Sequence, residues 1–164
     1  MIEPFKKILV YVDGTESSIS AAMAAIVLAK RLDASLTAIY VVNTKALQEL
    51  VNARIFLEFE KVEYSRDIEE DASRYLNHVK ELGIQKGVEI ETIKSSGSVH
   101  AEVTKYLLEN RVDLLVLGGI SQIHSRRDEF LSETDRVMRT AQCPVLVVRD
   151  NDNIWDMFES IVDA

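Results

Sequence analysis

The sequence predicts one α/β domain: a doubly wound, five-stranded parallel sheet with helices on both faces. Short apolar runs of strand length alternate with longer segments of helical periodicity, which is typical of β-α-β units joined by right-handed crossovers. The first run, residues 8–12, is continuously apolar, as expected of a parallel strand that is covered on both faces. No Pro/Gly/Ser-rich linker divides residues 1–150, and the 164-residue chain is 47% hydrophobic, which is enough for a single core.

The apolar runs place the strands and the periodic segments place the helices. We expect strands near residues 7–12, 35–42, 88–94, 113–118 and 144–149. Asp13-Gly14-Thr15 turns the chain after the first strand, and Thr15 or Ser17 can cap a helix that reaches about Leu32. Two further helices are expected over residues 98–110 and 132–141.

The crossover between the second and third strands, residues 43–87, is unusually long. Its second half, 62–82, has one apolar stripe and predicts an amphipathic helix that Gly83 and Gly87 end. Its first half, 47–59, has seven large apolar residues, more than one sheet-facing stripe needs: Leu47, Leu50, Val51, Ile55, Phe56, Leu57 and Phe59. This segment is either a second helix over the sheet edge or a lid or dimer surface above the strand ends.

The net negative charge of the chain limits the kinds of molecule that it can bind. The net charge is −8 and the sequence pI is near 4.9, which argues against nucleic acid or an anionic membrane as the main partner, since both need clustered cationic charge. No apolar run approaches the length of a membrane span, and the N-terminal run is too short for a leader. We expect a cytoplasmic protein.

Catalytic and metal-binding patterns are missing from the sequence. The single cysteine, Cys143, excludes an intrachain disulfide and is expected to be a buried, inert thiol. His78, His100 and His124 have no Cys, Asp or Glu at metal-ligand spacing, and no nucleophile motif occurs. We therefore expect no enzyme activity and no metal site.

The ends of three predicted strands lie at the same edge of the sheet if the topology is as predicted. In an open parallel sheet, ligands bind outside the carboxyl ends of the strands, where the strand order reverses. Asp13 closes the first strand, Val41 lies at the end of the second, and Gly118-Gly119 closes the fourth, ahead of a loop and a helix N-terminus that can hold phosphates. Asp13 can bind an adenine or ribose group, or it can only cap the first helix; Val41 can pack against a base or against the core.

Both ends of the chain resemble one family. KKILVYVDGTESSISAAMAAIVLAKRLDASLTAIYVV resembles the opening of a universal stress protein, and DLLVLGG followed by SETDRVMRTAQCPVLVV resembles its closing half. The resemblance covers roughly residues 5–42 and 98–149, and the long crossover matches only loosely. It implies an adenine-nucleotide-hydrolase-like, Rossmann-like domain that dimerises and acts in stress regulation. Some members bind ATP at the strand ends and others bind no nucleotide.

The nucleotide-binding members of the family have a Gly-x-x-Gly, a loop of fixed length, and then Gly-Ser or Gly-Thr. Here Gly118 stands at the first glycine, Ser121 replaces the second, Leu131 replaces the third, and Ser132 keeps the hydroxyl. Tyr11 stands where the family often has proline. By resemblance, Asp13 and Val41 match positions that contact adenosine. If nucleotide binds, the residues involved are Asp13, Gly14, Val41, Gly118, Gly119, Ser121 and Ser132.

These replacements favour impaired nucleotide binding. Glycine permits positive φ and close approach of backbone N–H groups to a phosphate, whereas the Leu131 side chain crowds a triphosphate. The loop supplies cations (His124, Arg126 and Arg127), but Asp128, Glu129 and Glu133 repel an anion. The first interpretation is a nucleotide-independent dimer that interacts with other proteins; the alternatives are an ATP- or AMP-binding switch and a site for a different small ligand.

Two further expectations concern the C-terminal part of the chain. The last strand, Pro144 to Val148, is apolar on both faces and is expected at the sheet edge, where it would pair with its twin in a homodimer. The tail, 151–164, has an apolar stripe of Ile154, Trp155, Phe158, Ile161 and Val162 and predicts a short helix. Such a helix must dock to be stable. It can dock on its own domain, on the dimer partner or on another protein, and we expect it on the dimer, against residues 47–59.

Overall fold

One parallel sheet organises the domain. The computed structural model describes residues 4–55, 57–119, 133–149 and 151–162. The strands are β1 (Lys7–Tyr11), β2 (Ser35–Val42), β3 (Ile90–Ser96), β4 (Leu114–Gly118) and β5 (Val145–Val148). Their order is β3-β2-β1-β4-β5, and every neighbouring pair is parallel. The predicted five-stranded, doubly wound sheet is confirmed, with β5 at one edge and β3 at the other.

The helices lie on both faces of this sheet. They are α1 (Glu16–Leu32), α2 (Thr44–Asn52), α3 (Glu58–Gln85), α4 (Val99–Glu109), α5 (Glu133–Thr140) and α6 (Asn151–Ser160). Buried residues of α1 and α3 form one core with one face of the sheet, and those of α4 and α5 form a second core with the other face. Within the described ranges, no helix is both long enough and apolar enough to cross a membrane.

Successive residues of β1 divide between these two cores. Ile8 and Val10 pack towards α1 and α3, whereas Leu9 and Tyr11 pack towards α4 and α5. All four are at most 6% exposed, which explains why the strand reads as a continuous apolar run. The fold therefore holds the carboxyl end of β1 rigidly between two layers of helices.

Helix α3 is longer than the sequence predicts. It continues through Gly83, which was expected to end it. A Cβ at Gly83 would lie 2.6 Å from Cδ1 of Ile90 and from the carbonyl oxygen of Val88, so this glycine allows the helix to pack closely on β3. The chain leaves the helix only after Gln85, and Gly87 then adopts a φ of 75°.

The first half of the crossover contains the expected second helix, α2, which is short. Leu47 is buried, but Ile55, Leu57 and Phe59 are 58–63% exposed. The surplus of apolar residues in this segment is therefore largely on the surface.

The tail docks on its own domain. Helix α6 packs mainly on α1, and Phe158 and Ile161 are buried there. The Lys86 ammonium donates a hydrogen bond to the carbonyl oxygen of Ile161 (3.1 Å) and lies 4.9 Å from the centre of the Phe158 ring. Because α6 follows β5 at one sheet edge and Lys86 precedes β3 at the other, the tail crosses α1.

The tail differs from the expectation in two ways. Within one chain it lies on α1 and leaves Ile55, Leu57 and Phe59 exposed. The predicted stripe is also narrower than expected, because Trp155 is 52% exposed and Val162 is 82% exposed. One residue is about 100° around a helix, so Ile154 turned towards α1 carries Trp155 away from it.

Candidate functional site

The strand order reverses between β1 and β4. From β1 the chain builds outward through β2 and β3, and it then returns to add β4 and β5 on the other side of β1. The residues that follow β1 and β4 therefore meet at one edge of the sheet, where open parallel sheets bind ligands. Asp13-Gly14 and Gly118-Gly119 lie at this position, which we call the crevice.

Asp13 builds the turn after β1. Its Oδ1 accepts hydrogen bonds from the backbone N–H of Thr15 (3.1 Å) and from the Thr15 hydroxyl (2.6 Å). The Thr15 Oγ1 in turn accepts from the backbone N–H of Ser18 (3.2 Å), so Thr15 is the N-cap of α1. Oδ1 thus stabilises the turn, and Oδ2 accepts no hydrogen bond from a described residue.

Gly14 lies directly under an aromatic ring from the long crossover. Its φ is 84°, and a Cβ there would lie 2.5 Å from Cε2 of Tyr75 in α3. The Tyr75 ring stacks on Tyr40 of β2, with ring centres 6.4 Å apart and planes 7° apart. Burial raises the pKa of Tyr40, and the Asp13 carboxylate raises that pKa further. The structure therefore covers the Asp13 turn with two tyrosines that the sequence analysis did not assign to the site.

Val41 packs in the core. It is 5% exposed and belongs to the apolar cluster between β2 and α4, with Ile39 and Val99. Of the two interpretations of Val41, the structure shows the packing role for its side chain.

The two glycines at the end of β4 have different structural roles. A Cβ at Gly118 would lie 2.6 Å from the backbone C and O atoms of Ser17, so a side chain there would displace the first turn of α1. The N–H of Gly119 donates to the carbonyl oxygen of Val148 (2.8 Å) and continues the β4–β5 ladder. The backbone N–H of Gly119 is thus directed at β5.

A carboxylate and an imidazole meet between α4 and α5. Glu133 is the first residue of α5, and its Oε2 lies 3.5 Å from Nδ1 of His100. That nitrogen is 3.0 Å from Oγ of Ser98. Oε2 of Glu133 is buried and has no hydrogen-bond partner among the described residues. The other oxygen, Oε1, lies 3.7 Å from Arg136.

Tyr11 is the last residue of β1 and is buried in the core on the α4 and α5 side of the sheet. It is 6% exposed, and burial raises the pKa of its phenol far above the usual range. The Asp13 carboxylate raises this pKa further, and Glu133 contributes in the same direction. The phenol at the end of β1 therefore stays neutral over the usual pH range, and carboxylates from the turn after β1 and from α5 both favour that neutral form. In the sequence Glu133 is only one of several acids that repel an anion. Its contact with His100 has no local signal, because α4 and α5 meet only in the fold.

Several predicted site residues are outside the described part of the chain. They are Ser121 and Ser132, together with the loop residues His124, Arg126, Arg127 and Leu131. Among the residues that are described, no group of three or more His, Cys, Asp or Glu side chains could hold a metal ion. Cys143 is half-buried rather than fully buried as expected, and burial raises the pKa of its thiol.

The family model of the universal stress protein family matches residues 4–149. The universal stress protein MJ0531 of Methanocaldococcus jannaschii is 32% identical over 145 residues, covering 88% of this chain and 82% of that protein. The universal stress protein YxiE of Bacillus subtilis is 32% identical over 154 residues, covering 88% of this chain and 99% of that protein.

Solved structures of this family have the same fold. A family member from Burkholderia pseudomallei aligns with a TM-score of 0.67 at 22% identity, over 88% of this chain and 96% of that chain. A universal stress protein in complex with cAMP aligns with a TM-score of 0.58 at 20% identity, over 89% and 98%. A family protein from Arabidopsis thaliana with AMP bound aligns with a TM-score of 0.57 at 17% identity, over 90% and 94%. The match of the family model over residues 4–149 and the two relatives at 32% identity lead to one conclusion: this chain belongs to the universal stress protein family.

Proposed function

We propose that this protein is a homodimeric, non-catalytic regulator of the stress response in the cytoplasm, which acts through contacts with other proteins and does not bind nucleoside triphosphates in its crevice. The claim that nucleoside triphosphates do not bind rests on the Glu133 carboxylate at the start of α5. Its Oε2 is buried without a hydrogen-bond partner in the described ranges and lies beside His100.

The charge at the start of α5 explains why a triphosphate is disfavoured. A helix N-terminus attracts anions through its dipole and its unpaired N–H groups. In α5 the first turn already contains two carboxylates, Glu133 and Asp135. At an effective dielectric constant of about 20, two like unit charges about 5 Å apart repel by about 3 kcal/mol, which is roughly a hundredfold or more in affinity. Each phosphate charge at this position would meet such a penalty.

The residues of the family pattern support the same proposal. Ser121 and Leu131 stand where nucleotide-binding members have glycine, and the Gly119 N–H that remains is directed at Val148. A phosphate would therefore find fewer backbone donors than in those members.

The edge strand supports the homodimer. β5 ends the sheet, and no described strand pairs with its outer side. It consists of four apolar residues, of which Leu146 is 39% exposed and Val147 is half-buried. An open apolar edge favours pairing with a second copy of the same strand around a twofold axis.

A second candidate function is an AMP-type switch. It is favoured by the Asp13 turn, which is complete and keeps one carboxylate oxygen without a hydrogen bond from any described residue. Such an oxygen can accept hydrogen bonds from a ribose, and related folds have been solved with AMP and with cAMP. A monophosphate carries less charge than a triphosphate, so Glu133 excludes it less strongly.

The nucleotide content of the protein tests both candidates. The protein is purified from cells without added nucleotide and denatured, and the supernatant is separated by anion-exchange chromatography. We expect less than one nucleotide per ten chains. AMP at one per chain would instead favour the switch, and ATP at one per chain would overturn the proposal.

A further inference from the structure

Helix α3 extends well beyond the sheet. Its 28 residues span about 42 Å, whereas the eight residues of β2 span about 26 Å. The first buried residue of α3 is Ala72, and none of residues 58–71 is buried. With α2, which begins two residues after β2 ends, this half of α3 forms a helical hairpin at the carboxyl end of the strands. We call residues 44–55 and 57–71 the arm.

The arm has a defined turn. At the end of α2, Arg54 adopts a φ of 62°, the N–H of Ile55 donates to the carbonyl oxygen of Leu50 (2.9 Å), and that of Arg54 donates to Val51 (2.9 Å). This is a Schellman motif. The Lys61 ammonium also donates a hydrogen bond to Oε1 of Gln48, which ties α3 to α2. These bonds fix the direction in which the residues after α2 leave the helix.

The outer end of the arm is apolar and exposed. Ile55, Leu57, Phe59 and Val62 are 63%, 58%, 62% and 56% exposed. Phe59 and Val62 are three residues apart and lie on the same side of α3. We call these four residues the apolar tip. Exposed clusters of large apolar side chains usually mark interaction sites.

Leu57 gives an independent sign that the tip is used for contact. It is the N-cap of α3 and makes no side-chain capping hydrogen bond. Ser, Thr, Asp and Asn are strongly preferred at this position because they cap the free N–H groups, and leucine is among the poorest residues there. The sequence therefore keeps an exposed apolar side chain where a polar one would stabilise the helix.

The charge around the tip narrows the kind of partner. Residues 58–71 contain seven acidic and two basic residues, a net charge of −5 out of −8 for the whole chain. An anionic membrane or a nucleic acid would be repelled by this segment. A second copy of the tip, brought face to face by a twofold axis, would meet the same acidic charge. A partner surface that is apolar at its centre and basic at its rim would complement both the apolar tip and the acidic charge of residues 58–71.

We propose that the apolar tip is the docking site for a basic amphipathic helix of a partner protein. Its apolar face would contact Ile55, Leu57, Phe59 and Val62, and its Lys and Arg side chains would lie among the carboxylates of residues 58–71. This deepens the proposed regulatory function, on which it rests, by naming the contact surface. It does not involve the crevice.

The test uses two fluorescently labelled synthetic peptides. Both have leucines at helical spacing; the remaining positions are mainly Lys in one peptide and Glu in the other. Fluorescence anisotropy measures their binding to the wild-type protein, to the variant Ile55→Ser with Phe59→Ser, and to the control Ile84→Ser. Ile84 is 60% exposed on the same helix but lies outside the tip. Far-ultraviolet circular dichroism establishes that all three proteins are folded.

We expect the wild type to bind the Lys peptide at least about tenfold more tightly than the Glu peptide. The double variant should lose at least about tenfold in affinity for the Lys peptide, and Ile84→Ser should stay within about twofold of the wild type. Equal binding of the Lys peptide by the wild type and the double variant would overturn the proposal, as would the absence of binding.

Two control measurements test whether a membrane or a second copy of the chain binds the apolar tip instead. Tip-dependent cosedimentation with phosphatidylcholine–phosphatidylserine vesicles would overturn the proposal in favour of a membrane. Loss of a dimer in the double variant, seen by light scattering, would overturn it in favour of a second copy. The nucleotide measurement above is independent of the tip, so a failure of this inference and a failure of the crevice proposal can be told apart.

Discussion

The ring of Tyr75 lies so close to Gly14 that a Cβ at position 14 would be 2.5 Å from Cε2 of the tyrosine. This contact joins the long crossover helix α3 to the turn that holds Asp13. The long crossover therefore helps to shape the edge of the sheet at which Asp13 lies.

We predict that Gly14→Ala destabilises the protein by about 2 kcal/mol or more, because alanine is strained at a φ of 84° and its Cβ meets the Tyr75 ring. Urea unfolding measures the loss. In the variant that also carries Tyr75→Ala, the steric part should disappear, so the two substitutions should couple by about 1 kcal/mol or more in a double-mutant cycle. Strictly additive effects would show that the ring does not press on the turn.

Stability should fall at alkaline pH through Tyr11. Because burial and the Asp13 carboxylate raise the pKa of Tyr11 in the folded state, the folded protein holds this proton more tightly than the unfolded chain. The contribution to stability is fully present below about pH 10, the unfolded pKa of tyrosine, and is lost as the pH rises above it. We predict that Tyr11→Phe loses less stability than the wild type between about pH 8 and pH 11. Unfolding free energies in urea at the two pH values measure this, and parallel pH profiles would contradict the assignment.

Lys86 should hold the tail in place. Substituting Lys86 with Met keeps the aliphatic stem but removes the hydrogen bond to Ile161 and the cation over Phe158. We predict a loss of about 1–3 kcal/mol and faster proteolytic removal of residues after about 150. Lys80→Met is the matched control, since Lys80 is exposed on α3. Equal proteolysis of the two variants would show that the tail docks without Lys86.

We predict that the edge strand β5 forms the dimer interface. A charge at Val147, by Val147→Asp, should convert the dimer to monomer in light scattering, because the paired edges would have to bury two carboxylates. Leu146→Lys tests the same interface at a more exposed position and is less prone to misfold. Ile84→Asp, on the opposite part of the surface in α3, should leave the dimer intact. A dimer that survives both β5 substitutions would remove this strand from the interface.

The sequence specified the sheet well because its strands are buried on both faces. Runs such as residues 8–12 leave no alternative to a parallel, doubly wound arrangement once helical segments separate them. The cap at Thr15 was predictable for the same local reason, since only the next turn of the chain is involved.

Tertiary contacts decided the rest. In the sequence Gly83 resembles a helix end, but its missing Cβ makes room for Ile90. Gly118 lies against the backbone of Ser17, a packing contact that gives no local sign in the sequence. Tyr75 sits among core positions on its helix and gives no local sign that it reaches Gly14. Trp155 shares an apolar segment with Phe158, and only the direction of docking shows that one is exposed and the other buried.

The measurement that tests the account most directly is thermal unfolding with and without Mg-ATP, in the wild type and in Glu133→Gln. A ligand at about a hundredfold excess over its Kd stabilises by about 2.7 kcal/mol, which is readily detected. We predict no ATP-dependent rise in Tm for the wild type and a measurable rise for Glu133→Gln, because the substitution removes the negative charge at the start of α5. Asp152→Asn, a carboxylate in the first turn of α6, is the control and should behave as the wild type. A clear rise in Tm with ATP in the wild type would contradict the proposal that the crevice does not bind triphosphates.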